Sequence, residues 1–153
     1  MIFVTLGTHE LSFKRMLEYL EKLDLTEEVL IQSGNTEFKS DKYKIVQFLS
    51  PTEFDQTMEK CDLVITHGGV GSILGALKRE KKVITMARLQ KYNEHNDDHQ
   101  LEICEKLAND GYIVSCTTFE EFQNAVLDYK NLELKPYKFD NTKLLRFIEE
   151  VIG

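Results

Sequence analysis

Residues 61–77 read CDLVITHGGVGSILGAL, and the fold follows from how this stretch changes character along its length. Leu63–Thr66 is a short apolar, β-branched run of the kind that forms a strand buried on both faces. The run ends at His67; Gly68, Gly69 and Gly71 then crowd a turn, and a helix is expected over about Gly71–Arg79. Strand, glycine turn and helix together make half of a βαβ unit.

The same alternation continues outward in both directions. Strands are expected at Ile2–Leu6, Val29–Gln32, Lys44–Phe48, Lys82–Met86 and Tyr112–Ser115, and helices at about Leu11–Leu23, Thr52–Lys60, Asp98–Asp110 and Phe119–Tyr129. A last helix, Asn141–Ile152, places Leu144, Leu145, Ile148, Val151 and Ile152 on one face, to pack on the domain or to dock on a partner. The link between Val29–Gln32 and Lys44–Phe48 is too short for a full helix and reads as a loop, or as a hairpin if those strands are antiparallel. There is no internal repeat, low-complexity tract or linker. The expectation is one domain over residues 1–153, an α/β Rossmann-like three-layer sandwich with a mainly parallel sheet.

Bulk properties narrow the function classes. A chain of 153 residues, 42% hydrophobic with two prolines, is long enough to bury a core and too apolar to be disordered. Its net charge of −7 and lack of a basic stripe exclude non-specific nucleic-acid binding. Cys61, Cys104 and Cys116 form no CxxC and read as small core residues in a reducing cytosol. The opening MIFVTL lacks a secretory leader pattern and no apolar run is long enough to span a bilayer, so a cytoplasmic location is expected.

In such sheets ligands bind beyond the carboxyl ends of the strands, so the residues that follow each strand carry the functional signal. In THGGVGS, three glycines in four positions exceed what a tight turn needs. They permit positive φ and close approach of backbone amides, and with Ser72 and the helix dipole they suit a phosphate or pyrophosphate; Ser72 alternatively reads as a cap. No Walker pattern is present. Gly69, Gly71 and Gly75 nearly fit a dinucleotide fingerprint, and Arg88 after the next strand suits a 2′-phosphate, which makes NADP a rival ligand. The second dense segment is NEHNDDHQ, residues 93–100. Capping by Asn96, Asp97 or Asp98 accounts for one or two of its polar residues, and the rest suit a hydroxyl-rich substrate. A metal site from His95, His99 and an aspartate is conceivable if the helix already starts by His95. No nucleophile elbow and no cysteine–histidine neighbour occurs in sequence.

MIFVTLGTHE, CDLVITHGGVGSILGAL and NDDHQLEICEKLANDGYIV together resemble the C-terminal, donor-binding domain of family 28 glycosyltransferases, of GT-B fold. More narrowly, the chain is similar to the small cytosolic subunits of two-part glycosyltransferases, from the dolichol pathway and from bacterial capsule and exopolysaccharide synthesis. The resemblance spans roughly Met1 to Cys116. It implies a UDP-sugar donor whose diphosphate is held by His67, Gly68, Gly69, Gly71 and Ser72, whose uracil meets Phe48 and Leu49, and whose sugar hydroxyls meet Asp98, His99 and Gln100. Gly7 and Thr8 correspond to the interdomain loop on the acceptor side. Relatives often carry a glutamate near the ribose where this chain has Gly75, so that contact must come from elsewhere or be lost. Arg88 and Lys91 incline the resemblance towards the bacterial polysaccharide branch.

One domain is half of a GT-B enzyme. The implied protein is the donor-binding, catalytic subunit of an inverting transferase whose membrane-anchored partner brings a lipid-linked saccharide. The acceptor base is expected on that partner, with His67 the candidate in this chain. No cofactor is required, with magnesium an optional aid. An NADP-dependent oxidoreductase and a non-catalytic partner-binding module are the alternatives.

Overall fold

The computed structural model describes residues 1–138 and 142–152, and the side chains of all of these except 142–145 and 152. Six strands form one sheet: β1 Ile2–Thr5, β2 Val29–Gln32, β3 Lys44–Val46, β4 Leu63–Thr66, β5 Lys82–Met86 and β6 Val114–Cys116. Their order is β3-β2-β1-β4-β5-β6 and every pairing is parallel, with Ile2 in register with both Val29 and Leu63. The order reverses between β1 and β4, which opens a crevice there at the carboxyl edge of the sheet.

Helices α1 Lys14–Glu21, α2 Pro51–Lys60, α3 Val70–Lys78, α4 His99–Asn109, α5 Phe119–Leu127 and α6 Thr142–Ile152 complete the layers. Strand alternation sorts the core. Ile2, Val4 and Ile65 pack with Met16 and Leu17 of α1 and Phe122 of α5, whereas Phe3, Val64 and Val83 pack with Met58 of α2, Ile73 of α3 and Ile103 of α4. β1 and β4 are buried at every position, as strands covered on both faces must be. Phe147, Ile148 and Val151 of α6 pack on the second core beside α4. Asn141 and the side chains of Leu144, Leu145 and Ile152 lie outside the described residues.

Several expected boundaries move for identifiable reasons. The β2–β3 link is a loop between parallel strands, not a hairpin. β3 stops at Val46, where Gly34 of the facing segment, at φ +59°, leaves the strand conformation and takes the Gln47 carbonyl. α1 starts at Lys14, not Leu11, since His9 Nδ1 and Thr36 Oγ1 accept the Leu11 and Phe13 amides. β6 starts at Val114, because Gly111, at φ +85°, ends α4 in a Schellman-type turn that also uses the Tyr112 amide. The three cysteines are free and buried.

Candidate functional site

The crevice at the β1/β4 switch point is a cleft of about 590 Å³. Thr5, Gly7, Thr8 and His9 from the end of β1 line it, with Gln32 from β2, Phe48 and Leu49 after β3, His67, Gly69, Gly71 and Ser72 after β4, and Gln100 from α4. Pro51, Phe54 and Asp55 of α2 close one side. A larger depression, about 1050 Å³, lies between α1 and segment 33–39, away from the switch point and from the glycine turn.

His67 organises the glycine turn. The residue is 7% exposed. A Cβ at Gly7 would come within 2.4 Å of His67 Nε2, and one at Gly69 within 2.3 Å of Cε1. Gly7, at φ +72°, also sits in the left-handed region. A Cβ on Gly68 would strike Gln100 Cβ at 2.5 Å, whereas one on Gly71 would meet nothing within 4 Å. The expected positive φ at Gly68, Gly69 and Gly71 is not found; close approach of neighbouring side chains explains the first two, and Gly71 leaves open space beside the cleft. Gly68 is buried and donates its N–H to Gln100 Oε1 at 3.1 Å without lining the cleft.

The start of α3 is chemically open. Helix α2 begins with a capping box, in which Ser50 accepts the Glu53 amide and Glu53 accepts that of Ser50. Helix α3 begins at Gly69 with no side-chain cap, so Ser72 is not a cap. The amides of Val70, Gly71 and Ser72 are therefore free to meet an anion at the positive end of the helix dipole.

In the same cleft, Gln32 fixes the β3–α2 loop. Its Nε2 donates to Thr5 Oγ1 at 3.0 Å and its Oε1 accepts the Leu49 amide at 2.8 Å. This presents Phe48, 48% exposed, as an aromatic face at the cleft. Asp55 brings a carboxylate into the lining, held by Arg79 Nη2 at 3.2 Å. Arg79 Nη1 in turn donates to the Gly75 carbonyl, and a Cβ at Gly75 would meet only that Nη1, at 3.7 Å.

In the polar segment after β5, Arg88, Glu94 and Gln100 turn inward. Arg88 is 1% exposed, and its guanidinium donates to the carbonyls of Leu6, Leu11 and Glu94 at 2.7, 2.7 and 3.1 Å over the Phe13 ring. Burial lowers its pKa to about 10. It cannot reach a 2′-phosphate, so Arg88 does not supply the contact suggested for NADP. Glu94 is buried in a two-pronged pair with Arg15 and accepts the Leu89 amide. Asp98 accepts the Gln90 amide at 2.8 Å and Asp97 that of His99 at 3.0 Å. Asp98 and His99 are thus not brought into the cleft; Gln100 is. Among the described residues no group of three or more His, Cys, Asp or Glu is arranged to hold a metal ion, so His95, His99 and Asp97 do not assemble as one. His95 instead stacks on His9, ring centroids 4.5 Å apart. Burial, then the charges of His95 and Arg88, hold His9 below the usual histidine range.

Thr5, His9, Gln32, Pro51, Phe54 and Asp55 were not expected from the sequence. Thr5 and Gln32 end their strands, so the strand-end rule reaches them; Asp55, inside an ordinary amphipathic helix, gives no local signal.

The model of the Glycosyltransferase family 28 C-terminal domain matches residues 1–150. The UDP-N-acetylglucosamine transferase subunit ALG13 of Saccharomyces cerevisiae is 32% identical over 114 residues, which cover 72% of this chain and 54% of that protein. The chain thus spans about half the length of the yeast relative, and 11% of the human one. The NMR solution structure of ALG13 superposes with a TM-score of 0.56 at 23% identity, covering 99% of this chain and 94% of that one. The glycotransferase of kitacinnamycin gives a TM-score of 0.64 at 15% identity over 99% of this chain and 38% of its own. These likenesses establish the fold as that of the C-terminal half of a GT-B glycosyltransferase. No helix among the described residues is long and apolar enough to cross a membrane.

Proposed function

The chain belongs to the glycosyltransferase family 28 C-terminal domain, and from that premise we propose that it binds the UDP-sugar donor of a two-subunit glycosyltransferase. The observation that carries this reading is the composition of one cleft. An exposed aromatic, Phe48, a carboxylate, Asp55, and an uncapped helix start beside His67 line the same cleft. That set suits base, ribose and diphosphate. Leu49 joins Phe48 at the uracil, and Asp55 supplies the ribose contact that Gly75 cannot make. Gly69, Gly71 and Ser72 present amides to the diphosphate, and Gly7 and Thr8 face the acceptor side. Asp98 and His99 are set aside as sugar contacts in this reading, since they lie outside the cleft.

Transfer is by inverting displacement at the anomeric carbon. The departing UDP gains negative charge where the amides of α3 and the helix dipole already point, so the stabilisation is preorganised and needs no metal, with magnesium an optional aid. The acceptor, a lipid-linked saccharide as in capsule or exopolysaccharide assembly, and its base come from a membrane-anchored partner that holds this subunit at the cytoplasmic face. The partner is supported by the two-part organisation that the motifs resemble and by similarity to a protein named as a transferase subunit.

A thermal-shift panel of UDP, UDP-sugars, GDP, CDP, NAD and NADP tests the donor site. A ligand at about a hundred times its Kd adds roughly 2.7 kcal/mol. Uridine nucleotides alone should shift the midpoint, and His67→Ala should abolish the shift. A shift with NADP, or none with UDP even beside the partner subunit, overturns the reading.

A further inference from the structure

We propose that Gln100 is a positioning residue that locks His67 as an imidazole protonated on Nε2 alone, so that the ring meets an anionic ligand as a neutral hydrogen-bond donor and not as a base. The proposal deepens the donor-site reading and rests on it only for the identity of the anion.

The geometry begins with the Gln100 amide. Its Oε1 accepts two backbone N–H groups, from Gly68 at 3.1 Å and from Arg88 at 3.2 Å. Two backbone donors converging on one atom identify it as the carbonyl oxygen, because an amide nitrogen accepts nothing. Gln100 Nε2 then lies 3.2 Å from His67 Nδ1 and donates to it. Oε1 is also 3.4 Å from Nδ1, but the two backbone donors already use its acceptor sites. Nδ1 is therefore the acceptor, and in a neutral ring the proton resides on Nε2.

Nothing else competes for that arrangement. The ring is wedged between Gly7 and Gly69, where any Cβ would overlap it, so it has no room to turn. Nε2 lies between Gly7 and Gly69 in a residue that lines the cleft, and it bonds to no described residue. The charged and titratable groups that act on it are Arg88, His95 and His9; none is a carboxylate that would reward a second proton. Burial first, then the Arg88 charge, lowers the His67 pKa to about 4. Gln100 thus ties together the ends of β4 and β5 and the first turn of α4 while setting one proton. It acts through His67, which differs from the sugar-hydroxyl contact implied by resemblance.

The test uses the full chain, labelled with ¹⁵N, and long-range imidazole correlation spectra in which His67 is assigned by its loss in His67→Gln. The expected wild-type spectrum shows one protonated nitrogen, Nε2, with no titration between about pH 5 and 8. A proton on Nδ1, or a midpoint near the ordinary histidine value, overturns the proposal. In Gln100→Glu the carboxylate attracts the proton to Nδ1 and raises the midpoint; a folded variant with an unchanged spectrum also overturns it. UDP binding to that variant should weaken by about tenfold or more above the raised midpoint, and should recover as the pH falls through it and Nε2 takes up a proton. Should wild type fail to bind UDP, the donor reading falls while the nitrogen shifts still decide the role of Gln100. Should the variant not fold, the wild-type spectrum decides alone.

Discussion

The glycine turn at residues 67–72 and the polar segment at residues 88–100 face each other across the end of the sheet, and they use hydrogen-bonding capacity in opposite ways. In the turn, α3 starts without a side-chain cap and His67 Nε2 stays open to the cleft. In the segment, Arg88, Glu94, Asp97 and Asp98 all bond to backbone groups or to Arg15 within the fold. One loop offers capacity to a ligand, and the other uses most of its own within the fold, with Arg88 Nε and His99 Nδ1 left buried and unpartnered away from the cleft. A dense run of polar residues is thus not in itself a binding site; unsatisfied donors beside a cavity are the better mark.

The largest expected effect tests the inward half of this contrast. Arg88→Ala strips three carbonyls of their donor and leaves a hole among Leu6, Leu11 and Phe13, so it should cost about 3–5 kcal/mol in urea unfolding. A loss under about 1 kcal/mol, within the range of ordinary surface changes, breaks the claim that this segment is a structural brace. His67 should give the next largest effect, through pH. Its folded pKa of about 4 lies below the ordinary 6.5, so the unfolded chain takes up a proton that the fold refuses. Stability should therefore be unaffected by His67 above pH 6.5 and should fall as the pH drops towards 4, by roughly 3 kcal/mol in all. The measurement is the stability difference between wild type and His67→Asn at pH 7 and pH 4.5. That difference should shift against wild type at the lower pH; a pH-independent difference means the ring is not held neutral.

Legibility divides along the same line. The strand–glycine–helix unit at residues 61–77 declares itself because its signals are local: β-branched residues, then glycines, then an apolar helix. The parallel sense of the sheet follows once those units are seen, whereas the strand order β3-β2-β1-β4-β5-β6 comes from the structure. What the local pattern does not carry is what each glycine avoids. Gly69 is excluded from bearing a side chain by His67, two residues away, but Gly68 by Gln100, which lies in α4, and Gly7 by a ring on another strand's loop. Arg88 reads as an exposed basic residue after a strand, and only the packing of β1, α1 and α4 around it shows why it is buried. Asp55 stays invisible because one carboxylate in a surface helix looks like any other until a cleft appears beside it.

The outward half of the contrast is tested by Gly71→Ala. A Cβ there meets no protein atom, and alanine is the better helix former, so stability should hold or rise by up to about 1 kcal/mol. UDP binding should nonetheless weaken about tenfold, near 1.4 kcal/mol, because the methyl occupies space that the diphosphate needs. Loss of stability together with binding would show that the glycine serves the fold; unchanged binding would place the diphosphate elsewhere.

The smallest effect sought sits at Asp55, and it asks whether the cleft distinguishes ribose from what surrounds it. A carboxylate that accepts a hydroxyl hydrogen bond should lose severalfold in UDP affinity on Asp55→Asn, since bonds to a charged acceptor exceed neutral ones. Stability should scarcely change, because the pair with Arg79 is at the surface. Comparison with 2′-deoxy-UDP isolates the contact: if Asp55 grips that hydroxyl, the substitution should matter far less for the deoxy ligand. Gly75→Glu in the Asp55→Ala background carries the logic further, because the position has room for a side chain and meets only Arg79. Recovery of UDP affinity there would show that one carboxylate beside the ribose is required and that α2 or α3 can supply it. An equal loss for both ligands at Asp55→Asn, with no recovery, would mean that the acid acts only by holding Arg79, and that the ribose is recognised through backbone groups alone.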